Sequence, residues 1–460
     1  MAISRSRHRL GLETEPGPWQ SFLVRFPATA GIDVILPDLN GVPRGKRLSR
    51  AAFEAILQAG LSFATSLYAL DTTGANVDAS GLVWEEGDAD RPCLLDLATL
   101  APVPWRDGGA QVLAGLGEPN GTPFFADPRA LLQKVAARFA PLGLLPVCAL
   151  ELEFYLLAPG SRRHAAPRPA TLRGGPRDPR EVQVYSLDEL DAHDGFLSRL
   201  NGFCAAQGVP LKSVVSEYAP GQLEANLGHV ADPLRAADHA FMLKRAIKAA
   251  ARAEGLAATF MAKPFEDQSA SGLHVHVSLI DAEGANAFAR DPSLLHHAIG
   301  GLKAIMSEAM LLCAPNANSY RRLRPLSYAP LAPTWGHNNR TVALRVPAGP
   351  EVARRIEHRV AGADTNPYLV LAAVLAGIHA GLAQRLDPGP PTDGNAYAKV
   401  EPSLPRTWDG AIRALESARI LPDYLGTEFC RLYGVCRAAE RERFDQVVTP
   451  TEHAWYLRTV

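Results

Sequence analysis

The chain is short of cysteine, of net charge and of long apolar runs, and each shortage excludes something. Its six cysteines, at positions 93, 148, 204, 313, 430 and 436, form no C-x-x-C pair and no knuckle-like spacing, so no disulfide framework and no structural zinc site are expected. They read as reduced thiols of a cytoplasmic protein. A formal net charge of −1 leaves no global field to draw the protein to nucleic acid or to an anionic membrane, and its basic residues are not gathered into a stripe. No segment reaches about 18 uninterrupted apolar residues, and the opening MAISRSRHRLGLETEPGPW lacks the apolar stretch of a secretory signal. Small-molecule chemistry remains.

What is present is an ordinary globular interior. At 460 residues and 47% hydrophobic content, the chain can hold one large or two ordinary domains. Residues 1–18 read as a mobile tail. From FLVRFPATAGIDVILPDLNGVPRGKRL the patterning is β-rich, with an Asn40-Gly41 turn, followed by a helix-like SRAAFEAILQAG. Short segments to about residue 115 complete a small α/β unit (19–115), and a catalytic unit is expected over 116–460. Asp127 and Pro128 start a helix, and Ser186 with Glu189 forms an S-x-x-E capping box for a helix ending near Gly208. The Pro-, Gly- and Arg-rich segment 158–181 reads as a long surface loop. LKSVVSEYAPGQLEANL reads as two strands about a Pro-Gly turn, and NPYLVLAAVLAGIHAGLAQRL as a long apolar helix.

Chemistry enters with ALELEFYLL, residues 149–157. In an extended strand, Glu151 and Glu153 point the same way while Leu150, Leu152 and Phe154 pack on the other face. Two neighbouring carboxylates must reach water, meet a cationic side chain or bind a metal ion. The same period of two recurs in HVH, which puts His274 and His276 on one face, and in RIEHR, which does so for Arg355, Glu357 and Arg359. SEYAPGQLE sets Glu217 and Glu224 on the arms of a turn. Each motif alone has a bland reading as an exposed strand or a surface charge ladder. Together, five glutamates and a histidine supply the oxygen-rich, partly imidazole ligation that suits Mg²⁺ or Mn²⁺. Arginines at 322, 340, 345, 355 and 359 suit phosphate and carboxylate oxygens. Metal ions with an arginine cluster suggest phosphoryl transfer.

These motifs, ELEF, SEYAPGQLE, AKPF…SGLHVHVSL, NSYRRL, NNRTVALRVP and RIEHR, resemble in kind and order those of the bacterial-type glutamine synthetase superfamily. The likeness is greatest to its glutamate–amine ligase branch, such as the γ-glutamylpolyamine synthetases, and runs from about residue 20 to the C-terminus. It implies an α+β chain: a small N-terminal β-grasp-like domain, then a large catalytic domain on a curved, mostly antiparallel sheet. No Walker-type loop is present, and the family uses none. By the resemblance, Glu153, Glu217 and Glu224 hold one metal ion and Glu151, His274 and Glu357 another. His276, Arg345 and Arg355 contact the ATP phosphates, Arg340 stabilises the transferring phosphoryl group, and Arg322 and Arg359 grip substrate carboxylates. Asp38 matches an aspartate lent to a neighbouring subunit's amine site. The implied assembly is a homo-dodecamer of two stacked hexameric rings. The implied reaction is ATP-dependent phosphorylation of the glutamate γ-carboxylate, followed by displacement of phosphate by a nitrogen nucleophile.

Two departures bear on substrate choice. Where ammonia-using members carry NSYKRLVPGYEAP, with a glutamate that closes the site, this chain has NSYRRLRPLSYAP and Tyr328. A phenol with an ordinary pKa near 10 is a poor base at neutral pH, but its ring suits an alkylammonium or an aromatic amine. An organic amine is therefore expected rather than ammonia. Ser269-Ala270 replaces the Asn-Gly that lines the glutamate pocket in many members, while the arginines still favour an amino acid or dicarboxylate. Tyr397, near where some members are adenylylated, reads as a loop tyrosine. Ammonia-dependent glutamine synthesis and a catalytically silent nucleotide- or metal-binding relative stay open beside the leading reading.

Overall fold

The computed structural model describes residues 17–160, 167–170 and 184–460. Residues 1–16 of the tail expected at 1–18, and much of the expected loop at 158–181, lie outside the described residues. The first element, α1 (Pro18–Arg25), corrects the β-rich reading of Phe22–Pro27. Proline stands at its first turn, and Trp19 and Phe22, three apart, are buried on one face. Trp19 packs on Phe53 of α2 (Arg50–Ala59) with ring centroids 4.8 Å apart. Five strands follow the order β2-β1-β5-β4-β3 in one sheet: β1 (Gly31–Pro37), β2 (Pro43–Ser49), β3 (Ser62–Ala64), β4 (Asp90–Pro102) and β5 (Gly109–Leu116). The central β1–β5 pair is parallel and β1–β2 is a hairpin, closed at the Asn-Gly turn by Gly41 at φ 70°.

The second sheet carries the chemistry. Its strands are β6 (Leu145–Leu157), β7 (Leu211–Ser216), β8 (Gln222–Leu227), β9 (Ala257–Thr259), β10 (Leu273–Ile280), β11 (Trp335–His337), β12 (Leu344–Val346) and β13 (Ile356–His358). The order is β11-β12-β13-β10-β6-β8-β7, with β9 on β6. All pairs are antiparallel except β11–β12. One face is apolar: Leu150, Leu152 and Phe154 of β6 are fully buried, each burial stabilising by about 1.5–3 kcal/mol. Helix α6 (Pro233–Ala253) packs on β6, and α3 (Pro128–Ala136), capped by Asp127, and the long helix Pro367–Gln384 pack on α6 in turn. That last helix is apolar enough to cross a membrane by length and composition, but 78% of it is buried in the protein. It is a core helix, packed closely on Pro292–Ile305 because a Cβ on Gly301 would lie 2.0 Å from the Gly377 carbonyl.

The helix expected from Ser186 to Gly208 is divided at His193 into α4 (Leu187–Ala192) and α5 (Asp194–Gln207). Only half of the capping box forms. Ser186 Oγ accepts from the Glu189 N–H, whereas the Ser186 N–H donates to Ser216 Oγ and Glu189 accepts from the Gly221 N–H. Glu189 thus ties the helix start to the β7–β8 turn instead of completing its own cap. All six cysteines are free.

Candidate active site

The polar face of the second sheet is assembled by strand register. Glu153 of β6 lies directly opposite Glu224 of β8, and Glu151 lies opposite His274 of β10. His276 is opposite Glu357 of β13, which is opposite Arg345 of β12. Residues 2.0 apart in period share a face, so five strands present one continuous patch of carboxylates, imidazoles and guanidiniums. Glu217 joins them from the β7–β8 turn, where its N–H donates to the Gln222 carbonyl.

Like charges directly opposite each other are destabilising, and the electrostatics follow. Burial raises Glu217 to about 7, reinforced by Glu153. Burial raises Glu224 to about 9, reinforced by Glu151, Glu153 and Glu217. The other end of the patch behaves oppositely. Burial also raises Glu357, but Arg359, His274 and His276 outweigh it and leave the carboxyl at about 2. Glu151 is likewise held well below the usual carboxylate range against its burial, with one oxygen 3.3 Å from His274 Nδ1 and the other 2.8 Å from His276 Nε2.

Three groups of possible ligand atoms each fall within 4.8 Å of one another: Glu153, Glu217 and Glu224; Glu151, His276 and Glu357; and Glu151, Glu224 and His274. The donor set and the crowding of Glu153 against Glu224 fit divalent cations. The first group is the expected one. The expected trio of Glu151, His274 and Glu357 is spread over the other two, with His274 Nδ1 3.9 Å from Glu357. His276, expected at the ATP phosphates, also contacts Glu151.

A cavity of about 250 Å³ opens over the first group. It is lined by Glu153, Glu217, Glu224 and His274, by the expected substrate-binding residues Ser269, Ala270, Arg322 and Arg359, and by Arg340 and Tyr328. Arg322 is buried and pinned by the carbonyls of Val360 and Arg359 at 2.7 and 3.2 Å. The Ser269-Ala270 segment is held from below, its carbonyls accepting from the Tyr155 hydroxyl at 2.6 Å and the Gln222 amide at 3.0 Å. Arg345 and Arg355 stand beside the cavity, at Glu357 (2.8 Å) and His276 (3.1 Å).

Asp38 is not brought to this site. Its carboxylate is fully buried in the β1–β2 turn, accepting from the backbone of Asn40 and Val42 and from Arg44 Nε at 2.9 Å. Burial raises its pKa against those partners. These bonds hold the β1–β2 hairpin and fix the position of the Asp38 carboxylate within it. Tyr397 donates to the Ala329 carbonyl at 2.8 Å, which anchors the segment after Tyr328. Sequence reasoning missed five lining residues: Val184, Ser327, Tyr185, Tyr218 and Gln222. The last two stand inside the quoted SEYAPGQLE and carried a signal as neighbours of Glu217 and Glu224. Tyr185 follows the Pro- and Arg-rich segment and carried none.

The crowded carboxylates set a pH dependence. Protonated Glu217 and Glu224 contribute stability that is fully present below the ordinary glutamate value and is lost as pH rises through about 7 and about 9. The metal-free protein is therefore expected to melt at progressively lower temperature from about pH 6 to about pH 9. Excess Mg²⁺ should flatten that decline, because the cation favours the ionised carboxylates. Calorimetric melting with chelator and with Mg²⁺ checks this; parallel curves would count against a cation at these glutamates.

A family model described as glutamine synthetase, catalytic domain, matches residues 125–456. The chain is 38% identical to γ-glutamylputrescine synthetase of Escherichia coli K12, over 95% of this chain and 93% of the relative. It is 34% identical to a glutamate–isopropylamine ligase of a Pseudomonas species, over 91% and 93%. Among solved structures, a GmaS/ADP complex matches with a TM-score of 0.82 at 28% identity, over 95% of this chain and 98% of that one.

Proposed function

As the chain belongs to the glutamine synthetase family, in its glutamate–amine ligase branch, we propose that it joins the γ-carboxyl of glutamate to a primary organic amine, cleaving ATP to ADP and phosphate. The observation that carries the choice of amine is Tyr328, which lines the cavity where ammonia-using members place a carboxylate. An aromatic face retains an alkyl or aryl ammonium and offers a small hydrated cation no charge.

Each residue has a part in this reading. Arg322 and Arg359, on the cavity wall, grip the glutamate carboxylates, with the Ser269-Ala270 carbonyls beside them. Arg345, Arg355 and His276 take the ATP phosphates from the adjacent strands. Arg340 meets the transferring phosphoryl group and offsets charge as it moves. The six ligands Glu151, Glu153, Glu217, Glu224, His274 and Glu357 would hold Mg²⁺ or Mn²⁺, which supplies charge neutralisation on the phosphates. ATP gives its terminal phosphoryl group to the γ-carboxylate. The amine nitrogen, having lost a proton, then attacks the acyl carbon, and inorganic phosphate leaves. Activating the acid first turns a poor leaving group into a good one.

A cytoplasmic dodecamer of two stacked rings completes the reading, supported by the family resemblance and, for compartment, by six free cysteines. The test is phosphate release with ATP, Mg²⁺ and glutamate across putrescine, spermidine, ethanolamine, isopropylamine, aniline and ammonium, with products confirmed by mass. Turnover with at least one organic amine well above that with ammonium is expected. Ammonium as the best substrate would reverse the choice, and ATP binding without turnover on any amine would favour a silent relative.

A further inference from the structure

Three tyrosines stand at the mouth of the cavity, two of them on strained backbone. Six non-glycine residues have positive φ among the described residues, and two of them line this opening: Tyr185 at 60° and Tyr328 at 58°. A bulky side chain in that region costs about 1–3 kcal/mol of backbone strain, which persists where the surroundings demand it. The demand here is direction. Tyr185, Tyr218 and Tyr328 all line the cavity while remaining 63%, 41% and 47% exposed, so their rings serve the opening rather than the core. Tyr218 and Tyr328 meet with centroids 6.3 Å apart at an interplanar angle of 36°. Tyr218 is reached from the β7–β8 turn and Tyr328 from the segment after Arg322, so two unrelated loops converge to make one wall. The segment is held there by Ser327, whose hydroxyl donates to the Arg324 carbonyl at 2.7 Å, and by Tyr397 on the Ala329 carbonyl.

We propose that Tyr218 and Tyr328 act as one aromatic wall that selects the amine by its carbon body, with Tyr218 as much a specificity determinant as Tyr328. This rests on the amine-ligase reading and says which residues enforce it. The first carbons of a primary amine lie against the paired rings while its nitrogen points inward past Glu217. Ammonium has no body to place there and gains nothing from the wall.

The experiment compares kcat/KM for the best organic amine with that for ammonium in the wild type, Tyr218→Ala, Tyr328→Ala, the double variant and Tyr218→Phe. Each alanine variant is expected to lower the amine-to-ammonium ratio about 10- to 30-fold. The double variant should fall little further, because removing either ring breaks the pair. Tyr218→Phe, which keeps the ring, should retain most of the ratio. Melting temperatures identify any variant that fails to fold, and for that variant the leucine replacement is read instead. An unchanged ratio in Tyr218→Ala, or a loss in Tyr218→Phe equal to that in Tyr218→Ala, overturns the proposal. Wild-type turnover with an organic amine but no shift in ratio sinks this inference alone; a wild type that uses only ammonium sinks the reading beneath it.

Discussion

Replacing Glu357 with alanine is expected to reduce ATP-dependent phosphate release at least about 10³-fold and to lower stability by about 3–5 kcal/mol. Both effects come from one carboxylate. Glu357 is 1% exposed, pairs with Arg345 at 2.8 Å and with Arg359, and shares a ligand group with Glu151 and His276. Its removal takes one ligand from that group and leaves Arg359, itself 3% exposed, as an uncompensated buried charge. Glu357→Gln separates the two consequences. It keeps the volume and one hydrogen-bond acceptor, so stability should recover in part while turnover stays low. Phosphate release and urea unfolding on the same preparations check this, and turnover within tenfold of wild type would remove Glu357 from the metal and phosphate machinery.

Arg340→Ala is expected to lower kcat about 10²- to 10³-fold with the KM for glutamate changed only a few-fold. Arg340 is exposed, on the short loop between β11 and β12 that lines the cavity. The loop is nonetheless fixed. Asn338 has φ 45°, and Asn339 donates to the carbonyls of Thr392 and Gly394 at 2.9 and 2.8 Å while accepting from the Thr341 N–H. A guanidinium presented on a rigid loop at the cavity, where it acts favourably on Glu217, suits a group whose contact strengthens as charge moves. Arg340→Lys should restore only part of the rate, since a point charge replaces a planar fork. A rise in glutamate KM with unchanged kcat would instead place Arg340 in substrate binding.

The polar sheet face was legible because strand periodicity is local. Glu151, Glu153, His274, His276 and Glu357 announce a common face at spacing two, and cross-strand register then needed only the sheet order. Other features depend on distant partners and gave no local signal. Glu189 leaves its own cap for the Gly221 N–H, 32 residues away in sequence. Tyr185 is held at the cavity by its N–H bond to the Ser216 carbonyl and by the Ser186 N–H bond to Ser216 Oγ. Phe22 read as part of a strand because a short amphipathic helix and an apolar strand share such residues, and the proline at its start was the discriminating mark. The local bonds of Asp38, one carboxylate oxygen on the Asn40 N–H and the other on Arg44, are likewise a product of the turn's geometry and gave no separate signal in the sequence.

The central claim is the preference for an organic amine over ammonia. Its most direct measurement is a single competition: wild-type protein with ATP, Mg²⁺ and glutamate in the presence of equimolar ammonium and one organic amine, repeated for each amine of the panel, with both products quantified by mass. A γ-glutamyl amide in large excess over glutamine for at least one amine is the expected result; glutamine as the main product with every amine would contradict it.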